Sequence, residues 1–543
     1  MRSIALATLL VLATSSSGVP DEVDAVLAAP VAPAAGMVRR PVVLATGLLA
    51  PDVETTVSDG FLQTMDLVYQ GKVEEATARA EELIALAPED PRPYLLKARV
   101  LREYVSEQDN VREHVKPQID PILGVLETAQ EKADGILDKD SDSLAGHLYR
   151  GWAKMFKGQL HELAFEHWSA GRSAKSGKGD LDRVLERDPS NPDALMIVGT
   201  YLYFADLLPG VLKIASFILR IPSGDRHEGL DFLKQSEAIP SYSRHDAKGM
   251  RGAILFGFEG RLEEARDLFD GFDREFPDNP RLVEPLAVID LWFADRTRAG
   301  LERIARVVQD NEGNPDPLER ELAARLRLYE AYMEILTGRA DAAQANLEIL
   351  HRDNPGRPDW FRPVVDLYLA DLHLLRGERD AAVVLRGEAV PDQDLERLLR
   401  YTSEEGAEAG AQDVETFSRL QDVARALYDG RLDEAQRGLG GLPEESPLVA
   451  FYEGELFHLR GDDGQALARY ERLDDPSVPA RCRFFVRLAR LRRAEIHASR
   501  GEWDAAAQAF DDEIEKYAVK DMWRHVMRAR QRYFLKEADG VRG

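Results

Sequence analysis

Gly260-Arg261-Leu262-Glu263-Glu264-Ala265 opens a stretch that runs on to Pro277 and Pro280. Ala follows the glycine by five positions, and the two prolines follow it by seventeen and twenty. Gly71-Lys72-Val73-Glu74-Glu75-Ala76, with Pro88 and Pro91, keeps that spacing, and so does Gly338-Arg339-Ala340-Asp341-Ala342-Ala343, with Pro355 and Pro358. Fixed spacing in scattered copies marks a chain built from repeated units, each burying its apolar face against its neighbours. In the first stretch Leu262, Ala265, Leu268, Phe269, Phe272 and Phe276 recur every three to four residues, so they share one helical face. Gly260 suits the left-handed residue that closes a preceding helix. Pro277 stops the helix, while Asn279 as cap and Pro280 at the first helical position start the next one. Asp90-Pro91, Asn191-Pro192 and Ser446-Pro447 repeat that punctuation. The unit is a helix-turn-helix.

These residues resemble the tetratricopeptide (TPR) family, whose unit places Gly at the turn between two helices, Ala five residues on and Pro seventeen after the Gly. Gly430, Ala435 and Pro447 match the same pattern, and Gly501, Trp503 and Ala506 match its first half, with Ala518 where the closing Pro would stand. Weaker copies begin at Gly377 and Gly461. The resemblance covers roughly 59–535 and implies an all-α, TPR-like α-solenoid, a right-handed superhelix of helix-turn-helix repeats, some of them degenerate. Taking Gly158 as a turn glycine makes one unit longer by fourteen residues, its proline pair being Pro189 and Pro192, with 171–180 as a polar loop. A further segment, 195–221, is apolar except for Asp206, Lys213 and Arg220, and Pro209 breaks it into two short helices. The run from Leu207 to Leu230 is similar to a segment of eukaryotic TPR proteins of the inclusion-body-clearance type, a likeness that carries no function here.

The start of the chain reads as an address. Arg2 precedes an apolar run at 4–13 and small polar residues at 14–18, the pattern of a secretory signal peptide, with cleavage near Ser17. Residues 18–58 form an Ala/Pro-rich linker, 59–402 a first TPR-like block, 403–412 an acidic Gly/Ala linker, 413–535 a second block and 536–543 a tail. Met37-Val38-Arg39-Arg40 before another apolar run offers a second start. Either start implies export, most simply to the periplasm as a bacterial exported TPR protein, with a cytoplasmic chain as the alternative. The chain holds 96 acidic and 70 basic residues, a net charge of −26. That balance disfavours nucleic acid and anionic membranes as partners. A single cysteine, Cys482, excludes an internal disulfide and Cys-x-x-Cys zinc sites. It lies between Arg481 and Arg483, an arrangement that lowers a thiol pKa when exposed and leaves an ordinary small residue when buried.

Motifs that carry chemistry are expected to be absent. The glycines and lysines of 171–179 imitate a phosphate loop, but five residues separate Gly171 from Gly177 where that loop needs four, and Gly179 replaces the Ser or Thr. His161 and His167 imitate a zinc-protease helix but are six apart instead of four. The resemblance would also allow a clamp for a C-terminal carboxylate, built from Lys and Asn at set positions of the first helix. Those positions hold Ala247 and Arg251, Arg325 and Tyr329, and Phe417 and Gln421, so that clamp is not expected. Tyr332 and Tyr428 are candidate inner-groove residues, read equally well as packing residues. The sequence therefore predicts no catalytic residues, cofactor or metal. It predicts a non-enzymatic scaffold that binds a protein or peptide in the cell envelope, the alternative being an accessory protein that binds an apolar small molecule through 195–221 and hands it to a membrane transporter.

Overall fold

The computed structural model describes residues 43–105, 112–207, 224–277, 279–293, 296–310, 317–352, 361–388, 411–516 and 522–542. Among them there is helix and turn but no strand. The chain forms two compact units, one of Met1–Ile254 with Arg274–Asn279, the other of Leu255–Asp273 with Pro280–Gly543. The signal-like residues 1–17 and the acidic 403–410 lie outside the described residues. The first described helix begins at Pro51, inside the stretch read as linker, because a proline at the first helical position follows the extended Ala50.

The first unit contains α1 (Pro51–Tyr69), α2 (Val73–Leu86), α3 (Pro91–Leu101), α4 (Arg112–Leu137), α5 (Leu144–Leu163), α6 (His167–Arg187), α7 (Pro192–Asp206), α8 (Arg226–Glu237) and α9 (Arg244–Ile254). A π-helical turn, Leu255–Glu259, leads into α10 (Leu262–Glu275). The second unit continues with α11 (Pro280–Trp292), α12 (Thr297–Asp310), α13 (Pro317–Leu336), α14 (Ala340–Arg352), α15 (Phe361–Leu375), α16 (Arg379–Glu388), α17 (Ala411–Tyr428) and α18 (Leu432–Leu439). It ends with α19 (Pro447–Leu459), α20 (Asp463–Tyr470), α21 (Arg483–Ser499), α22 (Trp503–Lys516) and α23 (Met522–Arg542). Each unit is an all-α, TPR-like solenoid of helical hairpins.

One backbone device makes the hairpins. Gly71, Gly260, Gly338, Gly377, Gly430, Gly461 and Gly501 all have positive φ, between 66° and 80°. The residue after such a glycine donates its N–H to a carbonyl five residues back, as in Lys72 to Leu67 (2.9 Å), Glu378 to His373 (2.8 Å) and Arg431 to Ala426 (2.8 Å). This is the Schellman closure, which satisfies carbonyls the helix end would leave bare. Arg261 reaches six residues back, to Leu255 (3.0 Å), because the π-turn inserts one residue. Ala76, Ala265, Ala343, Ala435 and Ala506 are wholly buried, so the second helix of each hairpin can approach the first closely. Pro447 does open α19, but Ser446 makes no side-chain cap, whereas Asp90 and Asn191 do.

The enlarged unit differs from the sequence reading. Gly158 lies inside α5, and the turn is at Phe165, the one non-glycine residue with positive φ (58°) among the described residues. Glu166 N–H closes the turn on His161 O (2.8 Å), and Ala170, five positions on, takes the usual Ala place. Residues 171–180 are helix, not loop: α6 has 21 residues where α2 and α10 have 14. The insertion is therefore seven residues, close to two helical turns, which keeps the same face inward. Gly177 lies against Gly151 and Met155, where a Cβ would stand 2.8 to 3.0 Å from its neighbours, so a residue chosen for close helix packing was read as a loop signal.

Two glycines with the same φ separate the turn's conformational cost from its packing cost. A Cβ at Gly430 (φ +78°) meets nothing within 4 Å, while one at Gly338 (φ +77°) falls 2.1 Å from Gln421 O. Gly430→Ala is expected to cost about 1–2 kcal/mol for the left-handed conformation. Gly338→Ala should cost roughly 1–3 kcal/mol more through the backbone clash. Urea unfolding of both variants checks this, and equal losses would refute the packing role of Gly338.

Candidate functional site

The first helix of each hairpin in the first unit faces inward, and these faces meet around buried charge. Arg92, at the start of α3, is fully buried. Its guanidinium donates to Asp90 (2.9 and 2.8 Å), Glu54 (2.6 and 2.8 Å) and Ser58 (3.1 Å). Two turns along α3, Arg99 pairs with Glu103 and donates to Asp246 Oδ1 (3.1 Å), while the Tyr69 phenol also donates to Asp246. Burial, then the Asp246 carboxylate, push the Tyr69 phenol well above its ordinary pKa. Tyr242 stacks on Phe61, ring centres 4.1 Å apart, and Asn279 Nδ2 donates to Tyr69 O (2.6 Å). The last helix of the unit thus closes onto the first.

Beside Arg99 and Asp246 the inner faces leave a cleft walled by Trp152, Met155 and Phe156 of α5, Met196, Ile197 and Thr200 of α7, and Met250 of α9, with Gln159 at its edge. Its cavity is about 30 Å³. That is room for about one water or part of one side chain, far below the 300–1,000 Å³ of pockets that enclose a small molecule. Leu195, Met196, Ile197, Val198 and Leu202, the described start of the apolar segment, are buried in α7. The break at Pro209 lies outside the described residues. The cleft residues come from three separated repeats of unequal length, and no spacing in the sequence joins Met155, Met196 and Met250.

In the second unit the structure places Tyr332 in the core instead of on a groove. Its ring packs edge-on against Trp292 (4.5 Å) and Phe484 (5.1 Å), and its phenol donates to Phe484 O (2.9 Å). The Tyr428 phenol is taken by Glu455 (2.8 Å), which also accepts from Tyr470 (2.6 Å). The positions that a carboxylate clamp would use are occupied within the fold. Arg251 pairs with Glu237 (2.6 Å), and Arg325 and Tyr329 both reach Glu284 (3.4 and 3.1 Å). Trp503, at a turn, packs on Tyr533 and Phe534. Cys482 is buried, and burial pushes its thiol up to about 12, overriding the flanking arginines.

The histidines have a structural part that the sequence reading missed. His161–Glu166 (2.8 Å), His373–Glu378 (2.6 Å), His458–Asp463 (3.1 Å) and His497–Glu502 (2.6 Å) all join a residue on the last turn of one helix to the residue five ahead, across the hairpin turn. His167 bonds Glu162 (3.0 Å), so the pair that imitated a zinc motif is spent on one turn. Among the described residues no group of three or more His, Cys, Asp or Glu is placed to hold a metal ion. Among them, too, no helix is long and apolar enough to cross a membrane.

No protein-family model matches the chain, and no curated protein matches it. Among solved structures it is similar to a human IFIT1 dimer with PPP-AAAA, at 13% identity over 75% of this chain and 80% of that one, TM-score 0.30. It is similar to the TPR domain of P58(IPK), at 12% identity over 78% and 99% of the two chains, TM-score 0.20. A third similarity is to Naa15/Naa10 bound to HypK-THB, at 13% identity over 88% and 73%, TM-score 0.16. The hairpin assignment rests on the turn geometry described above.

Asp193, at the start of α7, gives the buried charge a measurable signature. It accepts from Ser243 N–H (2.9 Å), and burial pushes its carboxyl from 3.8 up to about 6. The folded chain then holds a proton there that the unfolded chain releases, so this contribution to stability is full below pH about 4 and lost as pH rises through about 6. Asp193→Asn removes the titration and keeps an acceptor. Its stability relative to wild type should improve by roughly 2 to 3 kcal/mol between pH 4 and pH 7. Parallel pH profiles for the two proteins would contradict this.

Proposed function

We propose that the chain is a non-enzymatic, TPR-like scaffold that holds a protein or peptide partner on the inner face of its first unit, in the cell envelope. The observation that carries the reading is the cleft beside Arg99 and Asp246. It lies on the inner helices of a helical-repeat stack, where such stacks present extended binding surfaces. Its methionines, Met155, Met196 and Met250, can repack around different apolar side chains. Its size admits only the tip of one side chain of a larger partner, which favours a peptide over an enclosed small molecule. The ionisable groups at its floor are tied to each other in salt bridges, an arrangement suited to holding shape. The envelope setting rests on the signal-like residues 1–17 and the linker after them.

Photo-crosslinking tests the binding reading. A crosslinking residue at position 159, beside the cleft, should give one or a few discrete adducts in envelope extract. The same residue at position 82, on the outer face of α2 where Glu82 is 64% exposed, should not. Equal adduct patterns from both positions, or none from 159, would sink the proposal. Sequencing the mature N-terminus tests the setting separately. A chain processed near Ser17 is expected, and an intact chain recovered from the cytoplasm would remove the envelope part alone.

A further inference from the structure

The residues ahead of the first helix lie across the inner helices of the first unit. Residues 43–50 are not helical, and from Leu44 to Leu48 their burial alternates. Thr46 is buried with Leu44 and Leu48 half-buried on either side, while Ala45 and Gly47 between them are exposed. A period of two is that of an extended segment laid on a surface with one edge inward. Going back from Pro51, the segment passes first over the start of α3 and then over α5. Thr46 Oγ1 donates to Oδ2 of Asp90 (2.8 Å), the cap of α3, and the Tyr149 phenol of α5 donates to Leu44 O. Two extended residues cover up to about 7 Å, close to the roughly 8–10 Å between packed helices, so the segment advances by nearly one repeat in two residues.

The receiving groups are built into the core. Asp90 and Tyr149 are both fully buried. Arg92 donates to both oxygens of Asp90 (2.9 and 2.8 Å), which offsets the charge and suits Oδ2 to a neutral hydroxyl. Among the described residues, Leu44 O is the one hydrogen-bond partner of the Tyr149 phenol. A buried donor without an acceptor is costly, so this phenol calls for a carbonyl laid across it. The hold on the segment is nonetheless light. Among the described residues its other hydrogen bonds are local, from Leu48 N–H to Thr46 Oγ1 (3.5 Å) and from Glu54 N–H to Ala50 O (2.8 Å). Gly47 takes a left-handed φ of 71°, which the docked path requires and a free segment does not.

We propose that this surface recognises an extended, uncharged peptide carrying Ser or Thr two positions after the residue whose carbonyl meets Tyr149, and that residues 43–50 occupy it until such a partner displaces them. The inference rests on the inner face of the first unit being the binding face, and adds the register of the partner. Arg99 lies seven residues after Arg92 on α3, and Trp152 three after Tyr149 on α5, so the cleft begins about 5 to 10 Å further along the same helices. A partner lying in place of residues 43–50 needs about three more extended residues to reach it. An acidic residue in the hydroxyl position would face Asp90 and Glu54, and the guanidinium of Arg92 is already taken by both.

Fluorescence anisotropy on the full chain tests this, with a labelled synthetic peptide of residues 43–50 as the probe. Gly47→Val strains the docked segment, because a β-branched residue resists positive φ, and it leaves the site alone, because a Cβ there meets nothing within 4 Å. That chain should melt close to wild type and bind the probe about tenfold more tightly, its own segment no longer competing. Thr46→Val loosens the segment without backbone strain and should give a similar gain, which guards against a misfolded Gly47→Val chain. A probe with valine for the threonine should bind the Gly47→Val chain about tenfold more weakly, and so should the normal probe once Tyr149→Phe is added. Equal binding to wild type and both opened chains, no binding to either opened chain at millimolar probe, or indifference to the threonine overturns the proposal. Position 159 separates this from the scaffold reading. Adducts there that are no stronger in the Gly47→Val chain overturn the displacement and leave the scaffold standing. Probe binding as expected, with no adduct at 159, supports the peptide site and sinks the cleft alone.

Discussion

A hydrogen bond that reaches back five residues, from the N–H after a left-handed residue, makes most of the hairpin turns described in this protein. It ends one helix, turns the chain and starts the next within a few residues. The second helix is then obliged to approach the first at a small residue, and Ala76, Ala265, Ala343, Ala435 and Ala506 are buried at that approach. Where a histidine ends the first helix, its ring spans the same turn to an acid five residues ahead, as His373 does to Glu378 (2.6 Å). The hairpin is local and strongly specified. What varies is how long its helices are and what their inner faces meet.

Much of the fold was legible because glycine, alanine and proline act locally. Positive φ at Gly71, Gly260, Gly338, Gly430 and Gly501 follows from residues adjacent in sequence. The turn at Phe165 was illegible for the converse reason. A phenylalanine in the left-handed region costs about 1–2 kcal/mol, and only the surrounding helices hold it there. Ala170 was a usable signal, five positions on, but no glycine pointed to it. Gly177 misled in the other direction, since a glycine chosen for contact with Gly151 and Met155 looks the same in sequence as one chosen for a turn. The chain passes from one compact unit to the other at Ile254 and Leu255, where a helix runs on into a π-turn, so no break in the helical pattern marks the boundary.

The candidate site was less legible than the fold. The inner-groove residues expected from repeat position, Tyr332 and Tyr428, are used to fill and tie the second unit. The cleft in the first unit depends on Arg99 meeting Asp246, residues 147 apart in sequence. Charge–charge pairing at that range leaves no pattern in one chain, because 96 acids and 70 bases offer too many partners. Buried pairs of this kind add little net stability, yet they penalise any packing that separates them.

An open solenoid grows by adding repeats, each needing only the one before it. The second unit is different. Its last helix returns to its first turn: Arg530 donates to Gly260 O (2.9 Å) and pairs with Glu263 (3.0 Å), and a Cβ on Gly260 would lie 2.4 Å from Ala529 O. The contact joins residues 270 apart. During synthesis the opening hairpin of this unit therefore emerges from the ribosome without the surface that completes it, and waits for nearly the whole remainder of the chain. Contacts of such long range slow folding and leave apolar surface uncovered in the interval. The unit should then unfold as one cooperative block instead of a row of independent repeats.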